Sequence, residues 1–293
     1  MTLRHFQIFA AVVDGKTMHK AAEMLYISQP SVSQAVRELE EHYGVRLFER
    51  YKKKLILTPD GERLLEYCRP LLAQFDSLDR AMKERDDGAL IHIGASVSVG
   101  EEILLPLIAD FEKQHPGIRA RITVNNTEYI ESELLNGRLD LGLVESSILS
   151  QDLLLRPFCR DRMMAVASPD HPFAGRRIAP GELEGQDLIT REPESSSRNV
   201  LLRMLDDKGI AYNIKWSCTN VHTMKQAALA GQGIALLSSL VVADDIREGR
   251  LSEITIEGMD GNRTINLAIH KDKHINGAIN SFIDYCDREY QSK

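Results

Sequence analysis

Ser28-Gln29-Pro30-Ser31-Val32-Ser33-Gln34-Ala35-Val36-Arg37-Glu38-Leu39 is the stretch on which the fold turns. Ser28 is a good N-cap. Pro30 is tolerated in the first turn of a helix, where its missing N–H has no partner to lose. A helix therefore starts here. Val32, Val36 and Leu39 stand at i, i+4 and i+7 and point inward, with Ala35 beside them. Pro30, Gln34 and Arg37 fall on the opposite face, flanked by Ser31 and Ser33. Upstream, Ala21, Ala22 and Leu25 mark the inner face of a short second helix. Leu3, Phe6, Phe9, Ala10 and Val13 mark that of a first helix, ended by Gly15. Two short helices joined by a few residues predict a helix-turn-helix.

Gln29, Pro30, Ser31, Ser33, Gln34 and Arg37 make a good groove face. Ser and Gln bond base edges or phosphates, and Arg bonds guanine or phosphate. Small residues at its start let the helix approach the DNA backbone closely. Such a face also suits solvent on a generic three-helix domain, and the next segment decides between the two. Gly44 turns the chain, Leu47 and Phe48 are apolar anchors, and Arg50-Tyr51-Lys52-Lys53-Lys54 is a basic tip. Leu55-Ile56-Leu57-Thr58 reads as a return strand. A hairpin with a basic tip beside a recognition helix is a wing, placed to ride on adjacent phosphates. The DNA-binding candidates are therefore Gln29, Pro30, Ser31, Ser33, Gln34, Arg37, Arg50, Lys52, Lys53 and Lys54. Charge agrees. Residues 1–58 carry nine Lys or Arg against six Asp or Glu, in a chain whose formal net charge is -7. A basic head on an acidic body suits a small module meeting phosphate.

The head resembles that of the LysR-type transcriptional regulators. The matching residues are Phe6 and Phe9, Ala21-Ala22, Leu25, Ser28-Gln29-Pro30-Ser31-Val32-Ser33, Leu39-Glu40, Gly44, Leu47-Phe48, Arg50, and Leu57-Thr58 with Gly61. Lys16-Thr17-Met18-His19 departs from the small polar-aromatic pattern usual there, which touches the helix-2 phosphate contacts and not the fold.

Asp60-Gly61 opens a long helix. Leu64, Cys68, Leu71, Phe75, Leu78 and Met82 form an a/d seam of nearly three heptads. Dimerisation is expected from it, because a small winged domain has little surface to cover the whole seam. Pro70, inside the helix, should kink it, and Asp86-Asp87-Gly88 should end it. A pair of heads demands a near-palindromic operator.

From residue 89 strands and helices alternate. Strands are expected at 90–94, 118–124, 141–144, 162–167, 214–218, 234–237 and 265–269. Helices are expected at 101–114, 130–136, 198–208, 221–230 and 275–290. Two α/β lobes with crossovers near 160 and 265 resemble type 2 periplasmic binding proteins, the fold LysR-type regulators carry as their sensor. The expected class is thus α/β: a winged helix-turn-helix (1–58), a dimerising linker helix (59–88) and a two-lobed effector-binding domain (89–293). Lobe I takes 89–160 and 266–293, and lobe II takes 161–265.

A ligand cleft belongs between the lobes, at strand ends and helix N-termini. Ala95-Ser96-Val97-Ser98-Val99-Gly100, Glu194-Ser195-Ser196-Ser197-Arg198 and Thr219-Asn220-Val221-His222-Thr223 each precede an expected helix. Hydroxyls, free N–H groups and a cation there make an anion site. Any single serine in the set could equally be only an N-cap. The effector candidates are Ser96, Ser98, Thr127, Glu145, Ser195, Ser196, Ser197, Arg198, Asn220 and His222, and the expected ligand is a small anion. Glu145 either clashes with an anion or marks an amino group on the ligand. Asn126-Thr127 and Val144-Glu145 are similar to a branch of the family concerned with sulfur or sulfite metabolism.

No cofactor or metal is expected. Cys68, Cys159, Cys218 and Cys286 lack metal-finger spacing, and Cys218 and His222, at i and i+4, have no second pair. Gly231-Gln232-Gly233 lacks the third glycine of a dinucleotide fingerprint, and no nucleophile elbow occurs. An enzyme and a purely architectural DNA protein remain the rival classes. The first would turn its ligand over, and the second would have no use for a two-lobed body. No apolar run approaches the roughly 18 residues of a membrane span, and the N-terminus has no signal-peptide core. The expected setting is cytoplasmic, with no membrane contact. The expected partners are double-stranded DNA, a small anionic metabolite, a second copy or three further copies of the chain, and RNA polymerase.

Overall fold

The computed structural model describes residues 1–52, 54–83, 89–145, 150–193 and 195–291. Two compact units result, one built on Met1–Asp86, the other holding Asp87–Leu134, Leu139–Lys271 and Ile275–Lys293.

In the first unit, α1 (Leu3–Gly15), α2 (Met18–Leu25) and α3 (Gln29–Tyr43) close around Ile8, Val12, Ala21, Ala22, Val32 and Val36. Gly15 is the last residue of α1, and Lys16 behind it takes the left-handed cap. The glycine serves a different end: a Cβ there would press on Lys20 and Ala21, where α2 starts. Tyr26 caps α2 with φ of 53°. Ser28 caps α3 as expected, accepting from the Ser31 N–H.

The wing is β1 (Phe48–Tyr51) paired antiparallel with β2 (Lys54–Leu57). Pairing runs out to Tyr51 opposite Lys54, so Arg50 and Lys54 stand in the strands and not at the tip. Lys52, at the turn, takes φ of 46°. Lys53 lies outside the described residues, as does the Arg50 side chain. Glu40 of α3 accepts from the Leu47 N–H at 2.8 Å, which ties the wing to the recognition helix.

α4 (Pro59–Lys83) continues through Pro70. Residues 84–88, where its end was expected, lie outside the described residues. The seam does two jobs. Cys68 is buried with Phe9, Leu39 and Leu47, and Leu64 packs on the same cluster, so the first two positions belong to the head. Leu71, Phe75, Leu78 and Met82 are 46%, 44%, 58% and 58% exposed. The expectation that the head could not cover the seam fails for its first turns only.

The second unit follows as β3 (Ala89–Ser96), α5 (Val97–Val99), a π-helical turn (Gly100–Leu104) and α6 (Leu105–Gln114). β4 (Ile118–Asn125), α7 (Thr127–Leu135), β5 (Leu141–Glu145) and β6 (Leu153–Ala167) come next. The chain continues through β7 (Arg177–Ile178), a 3-10 turn (Pro180–Leu183), β8 (Asp187–Arg191), α8 (Ser196–Asp207), β9 (Asn213–Cys218) and α9 (Val221–Leu229). It closes with β10 (Ile234–Ser238), α10 (Ser239–Arg247), β11 (Ser252–Ile256), β12 (Asn262–His270) and α11 (Gly277–Gln291). The strand order is β4-β3-β5-β12-β6-β10-β8-β9, with β11 joining β6 to β7.

β6 serves both lobes. Leu153 to Arg162 pair with β12, and Met163 to Val166 pair with β10. The chain therefore changes lobe near 162–163 and returns near 261–262. The first half of this strand escapes sequence reading because Pro157 lies in it. The ladder accommodates Pro157 at an irregularity opposite Ile265 and Asn266. Ile91, Ile93, Phe111, Leu143, Leu267 and Phe282 anchor the lobe I core. Two clusters flank the lobe II sheet, one around Leu188, Leu205 and Ile234, the other around Met224, Ala228 and Ala235.

Gly61 explains part of the head motif. A Cβ there would overlap the Leu47 carbonyl and the Leu57 side chain, while Thr58 donates to the Arg46 carbonyl and accepts from the Gly61 N–H. Gly61→Ala should destabilise the head by about 1–3 kcal/mol. A thermal melt should show the head's transition falling while that of the C-terminal unit stays in place.

Candidate functional site

The recognition face is exposed at Gln29, Pro30, Ser31, Gln34 and Arg37 and half-buried at Ser33. Val32, Ala35, Val36 and Leu39 are buried beneath it. Four side chains on this face are engaged: Ser31 shares a hydrogen bond with the Ser28 hydroxyl, Gln29 donates to Ser33 Oγ, and Gln34 donates to Glu38. Glu38 also meets His5 Nε2 at 2.7 Å. The His5 and Gln34 hydrogen bonds hold the Glu38 carboxyl below its ordinary range. Gln34 must therefore release Glu38 before it can reach a base. Arg37 has no ion-pair partner among the described residues, so its guanidinium is free to meet guanine or phosphate.

In the second unit, Ser96, Val97, Ser98, Asn126, Thr127 and Glu145 of lobe I face Arg191 and Ser195 of lobe II across a small cleft. Ser96 ends β3 and is the residue before α5, so helix winding starts at Val97 and not at Glu101 as the spacing suggested. Ser96 is 3% exposed, and its hydroxyl has no hydrogen-bond partner among the described residues. Thr127 opens α7 and donates to Glu145 Oε2 at 2.9 Å. Asn126 accepts from the Tyr129 N–H at the same helix start.

Arg191 is absent from the sequence-derived set because β8, the strand it ends, was not recognised. Asp187-Leu188-Ile189-Thr190-Arg191 is a short strand, buried from Leu188 on and without alternation, and such strands carry little periodic signal. Arg191 is buried and donates through Nε and Nη2 to Glu192 at 2.8 and 2.7 Å. Burial pushes the Glu192 carboxyl up, but the Arg191 hydrogen bonds outweigh it and the net shift is downward.

Several candidates stand elsewhere. Arg198 bonds the Arg191 carbonyl and lines a separate hollow with Leu188, Leu201 and Leu202. Asn220 is exposed and caps α9 by accepting from the Thr223 N–H, while His222 is exposed on the first turn of that helix. Neither lines the cleft. The side chains of Ser196 and Ser197 lie outside the described residues. Cys218 ends a strand and is buried, whereas His222 is exposed on the following helix, so their i, i+4 spacing is not a helical one. Among the described residues no His, Cys, Asp and Glu cluster could hold a metal, and no helix is long and apolar enough to cross a membrane.

Behind Glu145 lies an ion-pair network at the lobe crossover. Arg263 Nη1 is 3.3 Å from Glu145 Oε1. Arg263 Nε donates to Asp161 Oδ2 at 2.6 Å, and Nη2 lies as close but out of hydrogen-bond alignment. Ser238 and Ser239 each donate to Asp161 Oδ1 at 2.8 Å. Burial raises the Asp161 carboxyl, but Arg263 and the two hydroxyls prevail and hold it low. The sequence reading had no means to find this pair, whose members are 102 positions apart.

A winged helix-turn-helix joined to a two-lobed domain with a polar interlobe cleft defines a one-component regulator. Residues 3–62 match the bacterial regulatory helix-turn-helix protein, lysR family, and residues 84–291 match the LysR substrate binding domain. The chain belongs to the LysR-type transcriptional regulators: it is a DNA-binding regulator with an effector-binding domain, not an enzyme. It is 31% identical over 287 residues to the uncharacterized HTH-type transcriptional regulator YeiE of Escherichia coli, covering 98% of this chain and 97% of that one. Full-length OxyR from Pseudomonas aeruginosa shares the fold with a TM-score of 0.65 and 21% identity, over 99% of this chain and 95% of that one. The CcmR regulatory domain of Synechocystis, in complex with 2-PG, gives a TM-score of 0.65 and 22% identity, over 69% of this chain and 98% of that one.

Asp161→Asn should destabilise the C-terminal unit by about 1–3 kcal/mol, because Arg263 loses the nearer of the two carboxylates it pairs with and keeps Glu145. Since the folded state holds this carboxyl low, its contribution is present above the unfolded value of about 3.9 and lost as pH falls through the folded one. Thermal melts taken on acidification should show a wild-type loss that the variant lacks.

Proposed function

We propose that the interlobe cleft binds a small anionic effector, and that its occupancy sets how the heads engage DNA. The observation that carries this reading is the Ser96 hydroxyl, buried and without a partner among the described residues, in a cleft shared with Arg191. An oxyanion would satisfy the hydroxyl and gain a charge-assisted bond from the arginine. Ser98 and Ser195 add hydroxyls to the same lining.

The proposed division is a head over 1–58, a linker helix over 59–88 and an effector domain over 89–293. Leu71, Phe75, Leu78 and Met82 pair the linker with that of a second copy, as a dimer or within a tetramer, on a near-palindromic operator. Ligand bound across the cleft draws the lobes together about the strand crossover, and the pairing of copies passes that change to the spacing of the heads.

Three experiments test this. Small anions should raise the melting temperature of the wild-type protein, and Arg191→Ala should weaken that binding at least about tenfold. Stabilisation unchanged by the substitution would place the anion elsewhere. In the second experiment, Gln34→Ala and Arg37→Ala should weaken operator binding more than binding to random DNA, whereas Lys52→Ala should weaken both alike. A footprint that stays the same with the effector bound would remove the coupling between cleft and head.

A further inference from the structure

Gln34, on the groove face of α3, is engaged before DNA arrives. Its Nε2 donates to Glu38 Oε1 at 2.8 Å, one turn further along the same exposed face. The other carboxylate oxygen, Oε2, meets His5 Nε2 of α1 at 2.7 Å. His5 is fixed in turn at the start of its own helix. The Thr2 N–H donates to Nδ1 at 3.1 Å, and the Thr2 hydroxyl lies 2.9 Å from the same nitrogen. A ring nitrogen that accepts a backbone N–H carries no proton, so the proton of the neutral ring sits on Nε2 and is given to Glu38. Glu38 is therefore tied to a second helix, and not left to swing in solvent as an ordinary i, i+4 pair would be.

We infer that Glu38, held in place by His5, sets the stringency with which Gln34 reads its base pair, and lowers it. The inference rests on Gln34 being a base reader, as proposed above. An amide pressed into a groove must find a partner there or forfeit its hydrogen bonds to water. A glutamine with no alternative therefore rejects every base pair that cannot bond it. Gln34 has an alternative. Where a base pair offers nothing, the amide stays on Glu38 and is satisfied. At adenine, where N7 accepts and N6 donates, it gives up that one bond to make two. The tie thus reduces the gain at the matched pair and removes the penalty at mismatched ones. Both effects favour tolerance, so the protein accepts operators that vary at this position. His5 is a positioning residue in this scheme and acts only through Glu38.

The test is duplex binding by the full-length protein, read by fluorescence anisotropy. The probes are the duplex that the wild type selects from a randomised pool and its base-pair variants. Gln34→Ala identifies the pair that Gln34 reads, as the one at which discrimination falls. At that pair Glu38→Ala and His5→Ala should each sharpen discrimination about two- to fivefold, the worth of an exposed polar pair. Loss of a negative charge beside the phosphates should tighten every duplex alike and cancel in the ratio. Glu38→Gln keeps an acceptor for the Gln34 amide without the charge and should stay near the wild-type ratio. In a Gln34→Ala background, Glu38→Ala should leave every ratio unchanged. Unchanged discrimination in either alanine variant, or sharpening that persists without Gln34, overturns the inference and leaves Gln34 a base reader. Sharpening in Glu38→Gln equal to that in Glu38→Ala assigns the effect to charge and overturns it as well. If Gln34→Ala lowers discrimination at no base pair, this inference and the reading of Gln34 fall together. Alanine is a strong helix former at the exposed position 38, so that variant should keep its fold.

Discussion

The C-terminal unit depends on the buried pairing of Asp161 with Arg263. Asp161 sits on β6 where that strand leaves β12 for β10, and Arg263 is its direct neighbour across the ladder. Two charges out of water are costly, and a buried pair often stabilises no better than a hydrophobic replacement. Its use here is geometric. The Asp161 carboxylate is fully covered and takes bonds from Ser238 and Ser239 of lobe II as well as from Arg263. Arg263 reaches on to Glu145 of lobe I. The point where the chain changes lobe is thus the point where charges register the lobes to each other.

The cleft lies one residue beyond that network. Glu145 belongs to both: its inner contact is Arg263, and its outer side faces the cavity. A ligand that alters the hydrogen bonding of Glu145 acts one contact away from the crossover pair. This gives the proposed coupling a physical route, because two packed lobes joined by strands respond to a local change by small rotation and not by diffuse deformation.

In the head, the constraint is close packing and not charge. Gly15 admits the start of α2, and Gly61 admits the Leu47 carbonyl. Glu40 satisfies the Leu47 N–H at the entry to the wing. The motif residues that look like a list in the sequence are therefore largely a scaffold. The exposed face from Gln29 to Arg37 and the exposed Lys52 of the wing are left over for DNA.

The sequence by itself determined the head, from the inward faces of α1 to α3 and the Ser28 cap to the wing and its charge. Each of these is a local pattern written over a few residues, with a period or a cap to reveal it. It also determined the α/β rhythm of the body and the serines that precede helices at Ser96 and Ser195. Tertiary structure alone decided which of those groups meet. It brought in Arg191 at the end of a strand too short and too buried to show a period. It set Asn220 and His222 apart from the cleft. It divided the α4 seam between the head and solvent, and it joined Asp161 to Arg263 from opposite ends of lobe II. The physical reason is the same in each case: burial and pairing across long separations arise from strand order, and strand order leaves no mark on the spacing of residues along the chain.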